Sequence, residues 1–265
     1  MRCFSAFVAV ASLARAISAH YFFDVLVVNG TETASYEYVR ENSRSIKYMP
    51  TKYINTYDYL TPDNTDFRCN LGATNNGQTI KTAEVTAGST LAMKLAVGAT
   101  MKHPGPAQET TCNDGDLTTT AWCTWNMDRV TFTIPAATPN GEYLVRSEHI
   151  GMHGAQVGEA EFFYSCAQIK IAGCGSGNPG PLVTIPGVYR QADEAINFSI
   201  YGAKNYTLVP GPEVWNGESI NLNETSFESS GKTSATIVSS IVKTTSPSAS
   251  LPETLTSIWH SIQYC

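Results

Sequence analysis

Most of the chain alternates hydrophobic and polar positions with a period of two, which is the pattern of half-buried β-strands. Turns rich in Gly, Pro and Asn separate these segments, and no segment carries a sustained apolar stripe at helical spacing. The predicted strands are 23–28, 90–97, 129–134, 142–150, 159–171 and 196–201, with a hairpin turn at Thr138-Pro139-Asn140-Gly141. Short strands joined by turns predict an all-β fold, an antiparallel β-sandwich with long loops.

The first 19 residues have the features of a secretory signal peptide. Arg2 provides the positive start, residues 4–13 form the apolar run, and Ile17-Ser18-Ala19 is a small-residue cleavage site. The apolar run is shorter than the ~20 residues that a membrane-spanning helix needs. We therefore expect a secreted chain that begins with His20, whose free α-amine then lies beside its own imidazole.

Composition divides the processed chain into two parts. Residues 20–225 carry the strand pattern and are predicted to form the β-sandwich domain. Residues 226–265 are predicted to be a disordered tail, because 13 of the 25 residues from 226 to 250 are Ser or Thr.

Charge and cysteine content narrow the class of protein. Only 15% of the 265 residues are charged and the formal net charge is −6, so the chain lacks the basic footprint of a nucleic-acid-binding protein. Loss of Cys3 with the signal peptide leaves six of the seven cysteines, an even number typical of an oxidising compartment. Cys112 and Cys123 are close enough to close a local loop, and the other pairings stay open.

Two of the five histidines are candidate metal ligands. An N-terminal His20 offers an amine nitrogen and a ring nitrogen to one metal, and His103 lies in a stiff His-Pro-Gly-Pro loop. Three nitrogen ligands suit Cu(II), which prefers tetragonal nitrogen and oxygen ligation. The alternative is that both are ordinary surface histidines. His149 and His153 have the spacing of a zinc-protease motif, but the general-base Glu that follows the first His is replaced by Ile150.

Several short motifs occur in a fixed order between residues 20 and 215. They are Val27-Val28-Asn29-Gly30, His103-Pro104-Gly105-Pro106, the run from Tyr143 to His153, Ser165-Cys166-Ala167-Gln168-Ile169, Ile185-Pro186-Gly187-Val188-Tyr189, and Tyr206 ahead of Pro210-Gly211-Pro212-Glu213-Val214-Trp215. Behind an N-terminal His20, this ordered set resembles the fungal lytic polysaccharide monooxygenases of auxiliary activity family nine, formerly glycoside hydrolase family sixty-one.

The resemblance implies an immunoglobulin-like or fibronectin-like β-sandwich that holds one exposed copper ion. His20, through amine and imidazole, and His103 would bind the copper as a histidine brace. His153 would lie beside the copper and Tyr206 on a flat substrate-binding face. Cys69 and Cys166 would form a disulfide.

The resemblance also implies the reaction. The enzyme would cleave glycosidic bonds oxidatively in cellulose or associated plant cell-wall glycans such as hemicellulose, with an external electron donor and O₂ or H₂O₂ as co-substrates. We expect a monomer whose partners are the polysaccharide and the electron donor, and neither a nucleic acid nor a membrane.

Two positions depart from the family pattern. Members usually place Gln five residues and Tyr three residues before the Cys that is Cys166 here, whereas this chain has Glu161 and Phe163. Alternate residues of a strand share a face, so both side chains are expected at the copper site. Phe163 would occupy the axial position without ligating, and Glu161 would manage protons together with His153.

The sequence leaves two alternatives to an oxygenase. The first is a secreted copper-binding protein that keeps the histidine brace but has little or no oxygenase activity, which Glu161 and Phe163 favour. The second is a carbohydrate-binding β-sandwich in which the metal has no role.

Overall fold

The structure is a computed structural model that describes residues 20–75, 80–107, 111–112, 114–217, 256–258 and 262–264. The predicted signal peptide lies outside these residues. Two strands lie within the predicted tail, and its other residues are outside the described part of the chain.

The described residues form ten strands and very little helix. The strands are β1 (Phe23–Val28), β2 (Thr31–Glu32), β3 (Ala83–Thr86), β4 (Thr90–Leu95), β5 (Arg129–Thr133), β6 (Gly141–Gly151), β7 (Glu161–Ala172), β8 (Val183–Thr184), β9 (Thr256–Ile258) and β10 (Ile262–Tyr264). The helical segments are the 3₁₀ turns Thr65–Arg68, Ala96–Gly98 and Ala155–Val157 and the α-helix α1 (Glu194–Asn197). No helix in the described part of the chain reaches the length and hydropathy required for a membrane span.

Two sheets pack face to face, which confirms the predicted β-sandwich. One sheet has the order β2-β1-β4-β5 and the other the order β3-β7-β6-β10-β9-β8. Leu26, Met93 and Phe132 of the first sheet share one buried cluster with Val145 and Ile169 of the second. Among the ten strands of the described residues, the pairings are antiparallel except that of β3 with β7, which is parallel.

Strands β6 and β7 of the second sheet are buried on both faces along most of their length. Odd-numbered side chains of β7, such as Phe163 and Ile169, face the first sheet. Even-numbered ones, such as Phe162 and Tyr164, face a second cluster formed with loop residues, including Tyr189. This explains why β6 and β7 are so long and so apolar, since a strand covered on both faces loses the simple hydrophobic-polar alternation.

Two of the local predictions are wrong. The predicted strand 196–201 instead begins within α1, because the Asn197 amide donates hydrogen bonds to the carbonyls of Gln191 and Asp193 and closes a helical turn. Ile196 and Ile200, four residues apart, then bury together in the loop-covered cluster.

The predicted hairpin turn at 138–141 joins strands that do not pair. It connects β5 of one sheet to β6 of the other, so it is a crossing between the two layers. Backbone hydrogen bonds from Thr138 N to the Pro135 carbonyl and from Gly177 N to the Ala137 carbonyl fix this crossing, at 2.9 and 2.7 Å.

Two disulfides hold loops in place. Cys69 pairs with Cys166, as the resemblance implied, and ties the loop after Thr65–Arg68 to the middle of β7. Cys112 pairs with Cys123 and closes the local loop. Cys174 is exposed and forms no disulfide within the described residues, and Cys265 lies outside them.

Candidate metal centre

The loop that carries His103 is fixed to the end of β6. Ile150 N donates to the Pro106 carbonyl and Met152 N to the Pro104 carbonyl, at 2.9 and 2.7 Å. Gly105 is needed at the centre of this contact, because a Cβ there would lie 1.8 Å from the Ile150 carbonyl oxygen. The sequence Pro-Gly-Pro therefore holds His103 against β6.

The pairing of β6 with β7 brings the remaining side chains to the same place. Gly151 lies opposite Glu161, and His149 lies opposite Phe163. A Cβ on Gly151 would lie 3.2 Å from the Cβ of His103, so a glycine leaves room for the imidazole. As expected from the strand period, Glu161 and Phe163 both reach the side where His20 and His103 meet.

One carboxylate oxygen lies at the centre of three imidazoles. The Glu161 Oε2 is 3.8 Å from His20 Nε2, 3.8 Å from His103 Nε2 and 3.7 Å from His153 Nε2. Ligand atoms from His20, His103 and Glu161 all lie within 4.8 Å of one another, which is close enough to hold one metal ion.

Three buried polar atoms of this cluster have no hydrogen-bond partner among the described residues. They are His103 Nε2, His153 Nδ1 and Glu161 Oε2. Buried polar atoms are nearly always satisfied in folded proteins, and His103 Nε2 and Glu161 Oε2, 3.8 Å apart, are left for a ligand. The imidazole nitrogens of His20 and His103 and the carboxylate oxygen of Glu161 are donors that a first-row transition metal accepts. The residues present fit a copper ion.

Aromatic rings pack against one side of the metal cluster. The His103 ring is nearly parallel to that of His153 (centroids 4.6 Å apart, 19°) and to that of Phe163 (5.3 Å, 14°). The Phe163 ring in turn contacts Tyr21 at 4.6 Å. Phe163 has no ligating atom, so this side of the cluster presents hydrocarbon.

Burial keeps the imidazoles neutral. It lowers the pKa of His103 to about 3, with smaller contributions from the charges of His153, His149 and His20. The pKa values of His20 and His153 are also lowered, mainly by burial. A neutral imidazole has a free lone pair, so these histidines do not have to lose a proton before they bind a metal.

Burial has the opposite effect on the carboxyl group. It raises the pKa of Glu161 to about 7, and the charge of Glu159 raises it further while that of Lys52 lowers it. Lys52 is itself buried and donates to Glu159 at 3.1 Å. Near neutrality Glu161 is therefore able both to hold and to release a proton.

Replacing Glu161 with Gln should change how the stability of the metal-free protein depends on pH. Between pH 4.5, the ordinary carboxyl pKa, and about 7, the folded state binds more protons than the unfolded state. Glu161 therefore lowers the free energy of unfolding as pH rises through that window. Glu161→Gln removes this loss, so its stability relative to the parent should increase between pH 5 and pH 8 by up to about 3 kcal/mol, at roughly 1.4 kcal/mol per pKa unit.

Urea unfolding at both pH values measures this change. Glu159→Gln is the matched control. Hydrogen bonds from Lys52 and Asn55 lower the pKa of Glu159 itself, so this variant acts only through the effect of its charge on Glu161 and should give a much smaller gain. If Glu161→Gln changes the free energy of unfolding by the same amount at pH 5 and at pH 8, the raised pKa of Glu161 is contradicted.

The prediction that Tyr206 lies on the substrate face is wrong. Its side chain is only 2% exposed, because its ring packs against Trp122 and Phe198 in the loop-covered cluster. Its hydroxyl donates to the Ala195 carbonyl at 2.7 Å.

Other tyrosines, which the sequence reasoning missed, are exposed, and two of them contact histidines of the cluster. Tyr48 stacks on His20 with ring centroids 6.2 Å apart, and the Tyr201 hydroxyl donates to the His153 carbonyl at 3.0 Å. Tyr57 lies over Lys52, and Tyr59 is 94% exposed. Three of the four lie within residues 48–59, and that concentration of Tyr is the sequence signal that points to an exposed aromatic surface.

Comparison with known proteins gives consistent matches. The family model of Auxiliary Activity family 9 (formerly GH61) matches residues 20–110 and 107–207. The AA9 family lytic polysaccharide monooxygenase D of Aspergillus tamarii is 51% identical over 257 residues, covering 84% of this chain and 93% of that protein. The AA9 family lytic polysaccharide monooxygenase A of Aspergillus fumigatus is 54% identical over 230 residues, covering 77% and 79%.

Solved structures match as well. The crystal structure of HiLPMO9B has a TM-score of 0.58 to this chain at 25% identity, covering 74% of this chain and all of that one. The stretches matched by the family model begin at His20 and include the residues of the metal cluster, so the similarity extends over the site as well as the fold.

Proposed function

The chain belongs to Auxiliary Activity family 9 and is a copper-dependent polysaccharide monooxygenase, and we propose that it cleaves glycosidic bonds in cellulose or in associated plant cell-wall glycans such as hemicellulose. The relatives at 51% and 54% identity are themselves named lytic polysaccharide monooxygenases. The proposal includes secretion, removal of residues 1–19 and action as a monomer with an external electron donor.

The observation that carries the site assignment is the unpaired, buried His103 Nε2 beside His20 and Glu161. His103 would hold one copper ion through this nitrogen, and His20 through its ring and the amine that processing frees. When bound, copper supplies one-electron chemistry toward O₂ or H₂O₂. The neutral His103 imidazole lies on a loop fixed to β6, which holds its ligand atom ready, so little ordering of this residue is left for binding.

Glu161 and His153 would handle protons beside the metal. Their Oε2 and Nε2 atoms are 3.7 Å apart, and a proton held by the carboxyl can pass to the neutral imidazole. A carboxyl whose pKa lies near 7 is matched to proton transfer at the working pH. Phe163 would exclude water from the opposite side of His103.

The exposed tyrosines would contact the glycan. Tyr48 and Tyr201 both contact candidate site histidines, so a sugar ring that rests on them lies beside the metal. Aromatic rings on a surface suit the apolar faces of sugar rings, and a surface of this kind suits an extended polysaccharide.

Product analysis tests the proposed function. Incubation of the processed chain with copper, a reductant and H₂O₂ on cellulose, xylan and xyloglucan should release oxidised oligosaccharides, detected by mass spectrometry. His103→Ala should reduce their yield by at least about 100-fold, because it removes a ligand, whereas loss of a mere outer partner costs roughly 10–100-fold in metal affinity or activity. A copper-loaded protein that releases no oxidised product from any of the three glycans would overturn the proposal in favour of a copper-binding protein.

A further inference from the structure

His149 is a buried polar residue that the chemistry described above does not use. It is 0% exposed, on β6 beneath the metal cluster, yet both of its ring nitrogens have partners. The Tyr21 hydroxyl lies 2.6 Å from Nδ1, and the Gly105 carbonyl oxygen lies 3.1 Å from Nε2.

The two contacts determine the direction of both hydrogen bonds. The Gly105 carbonyl only accepts, so the proton of the neutral imidazole must be on Nε2. Nδ1 then has only a lone pair and accepts the Tyr21 hydroxyl hydrogen. The result is a continuous series of hydrogen bonds in which Tyr21 donates to His149 and His149 donates to the Gly105 carbonyl.

The two ends of this hydrogen-bond series, Tyr21 and Gly105, are close in sequence to the two candidate ligands. Tyr21 directly follows His20, and Gly105 is two residues after His103. His20 and His103 come from segments about eighty positions apart in sequence, and their rings are 5.2 Å apart. His149 is the residue that hydrogen-bonds to both segments.

Neighbouring contacts make this link stiff. The Tyr21 side chain is 3% exposed, and its ring packs on Phe163, which lies opposite His149 in the sheet. The Gly105 carbonyl also accepts from the Thr124 hydroxyl at 3.1 Å. A shift of the His103 loop would therefore break two hydrogen bonds to a buried carbonyl, which the interior does not replace with water.

We propose that Tyr21 and His149 are positioning residues that set the separation and orientation of His20 and His103 for copper. The inference rests on the proposed function, since it concerns the same metal site. A merely structural role would predict the same loss of stability on breaking the link but no change at the metal.

The test measures copper binding by calorimetry and the Cu(II) electron paramagnetic resonance spectrum of the processed chain. Tyr21→Phe removes only a hydroxyl, and His149→Leu removes both hydrogen bonds. Both should weaken Cu(II) binding about 10-fold, at the lower end of the roughly 10–100-fold effect of outer-shell partners because they act through the segments that carry the ligands, and both should shift the copper hyperfine coupling.

A matched control and a rescue separate positioning from packing. Tyr143→Phe removes another buried tyrosine hydroxyl bond, 2.6 Å to the Pro139 carbonyl, at the far end of β6. It should lower the melting temperature without changing the copper spectrum or affinity. His149→Gln retains a donor and an acceptor and should recover part of the affinity that His149→Leu loses.

Two outcomes would overturn the inference. If Tyr21→Phe and His149→Leu fold and bind copper with the parent affinity and spectrum, the link is structural only. If Tyr143→Phe shifts the spectrum as much as Tyr21→Phe, the effect is global and positioning fails. A parent chain that binds no copper would instead overturn the proposed function itself, so the two failures are distinguishable.

Discussion

A chain that retains Ala19 ahead of His20 is expected to bind Cu(II) more than about 100-fold more weakly than the processed chain. The free amine and the imidazole of His20 together form a chelate, and a peptide nitrogen has no available lone pair to replace the amine. Losing an outer-sphere partner already costs roughly 10–100-fold in affinity, and here a ligand atom itself is lost. Calorimetric titration of both forms measures the difference.

The pH dependence of Cu(II) affinity provides an internal control for the comparison of the processed chain with the chain that retains Ala19. An α-amine has a pKa of about 7.7–8.0, so copper must displace its proton near neutrality. Affinity of the processed chain should therefore fall as pH decreases below that value, whereas in the chain with Ala19 the His20 nitrogen belongs to a peptide bond and contributes no such component. Specific proteolytic removal of the extra residue should restore both the affinity and its pH dependence. Equal affinities before and after removal would contradict the role given to the His20 amine.

The clustering of the candidate site was largely predictable because it depends on strand alternation. Glu161 and Phe163 are two residues apart in a segment with clear strand features, so a common face follows from the period of two. The structure places both beside His20 and His103. The resemblance contributed what alternation does not, namely that the His103 loop lies against that face.

The burial of Tyr206 and the contacts of His149 were not predictable in this way. Tyr206 follows α1 in a stretch without regular periodicity, so no pattern assigns it to a face, and its burial depends on packing against Trp122. The hydrogen bonds of His149 depend on the β6–β7 register and on how the N-terminal segment lies across it. The register of two strands depends on where the turn between them lies, and the packing of distant segments depends on the whole fold. Neither follows from the local hydrophobic pattern.

The sheet assignment of strands shows a similar limit. Asn140-Gly141 has the composition of a hairpin turn, yet β5 and β6 belong to different sheets. Local sequence determines that the chain turns, whereas the hydrogen bonds of Ala137 and Thr138 to distant and nearby backbone determine where the next strand goes. Element positions were thus easier to predict than element partners.

Removing the Arg146 guanidinium is expected to cost about 3–5 kcal/mol of the free energy of unfolding, the range for breaking a buried ion pair by removing one partner. Arg146 and Glu148 are 5% and 3% exposed and their atoms Nη2 and Oε2 lie 2.6 Å apart. The guanidinium is also placed over the rings of Phe67 and Tyr164, at 4.9 and 4.4 Å. Arg146→Met preserves most of the volume but leaves the Glu148 carboxylate buried without its cation.

The double variant Arg146→Met, Glu148→Gln separates the charge effect from packing. It should be more stable than Arg146→Met alone, because no buried carboxylate is left uncompensated. In the parent the Tyr189 hydroxyl donates to Glu148 at 2.7 Å, and the Gln amide oxygen can still accept that hydrogen bond. Urea unfolding of the four members of this cycle gives the coupling. Arg146 and Glu148 lie on the loop-covered face of β6, whereas His149 and Gly151 lie on the metal side, so Cu(II) affinity of the folded variants should stay at the parent value. A double variant less stable than Arg146→Met would mean that the uncompensated Glu148 carboxylate is not what destabilises Arg146→Met, and would contradict the charge effect.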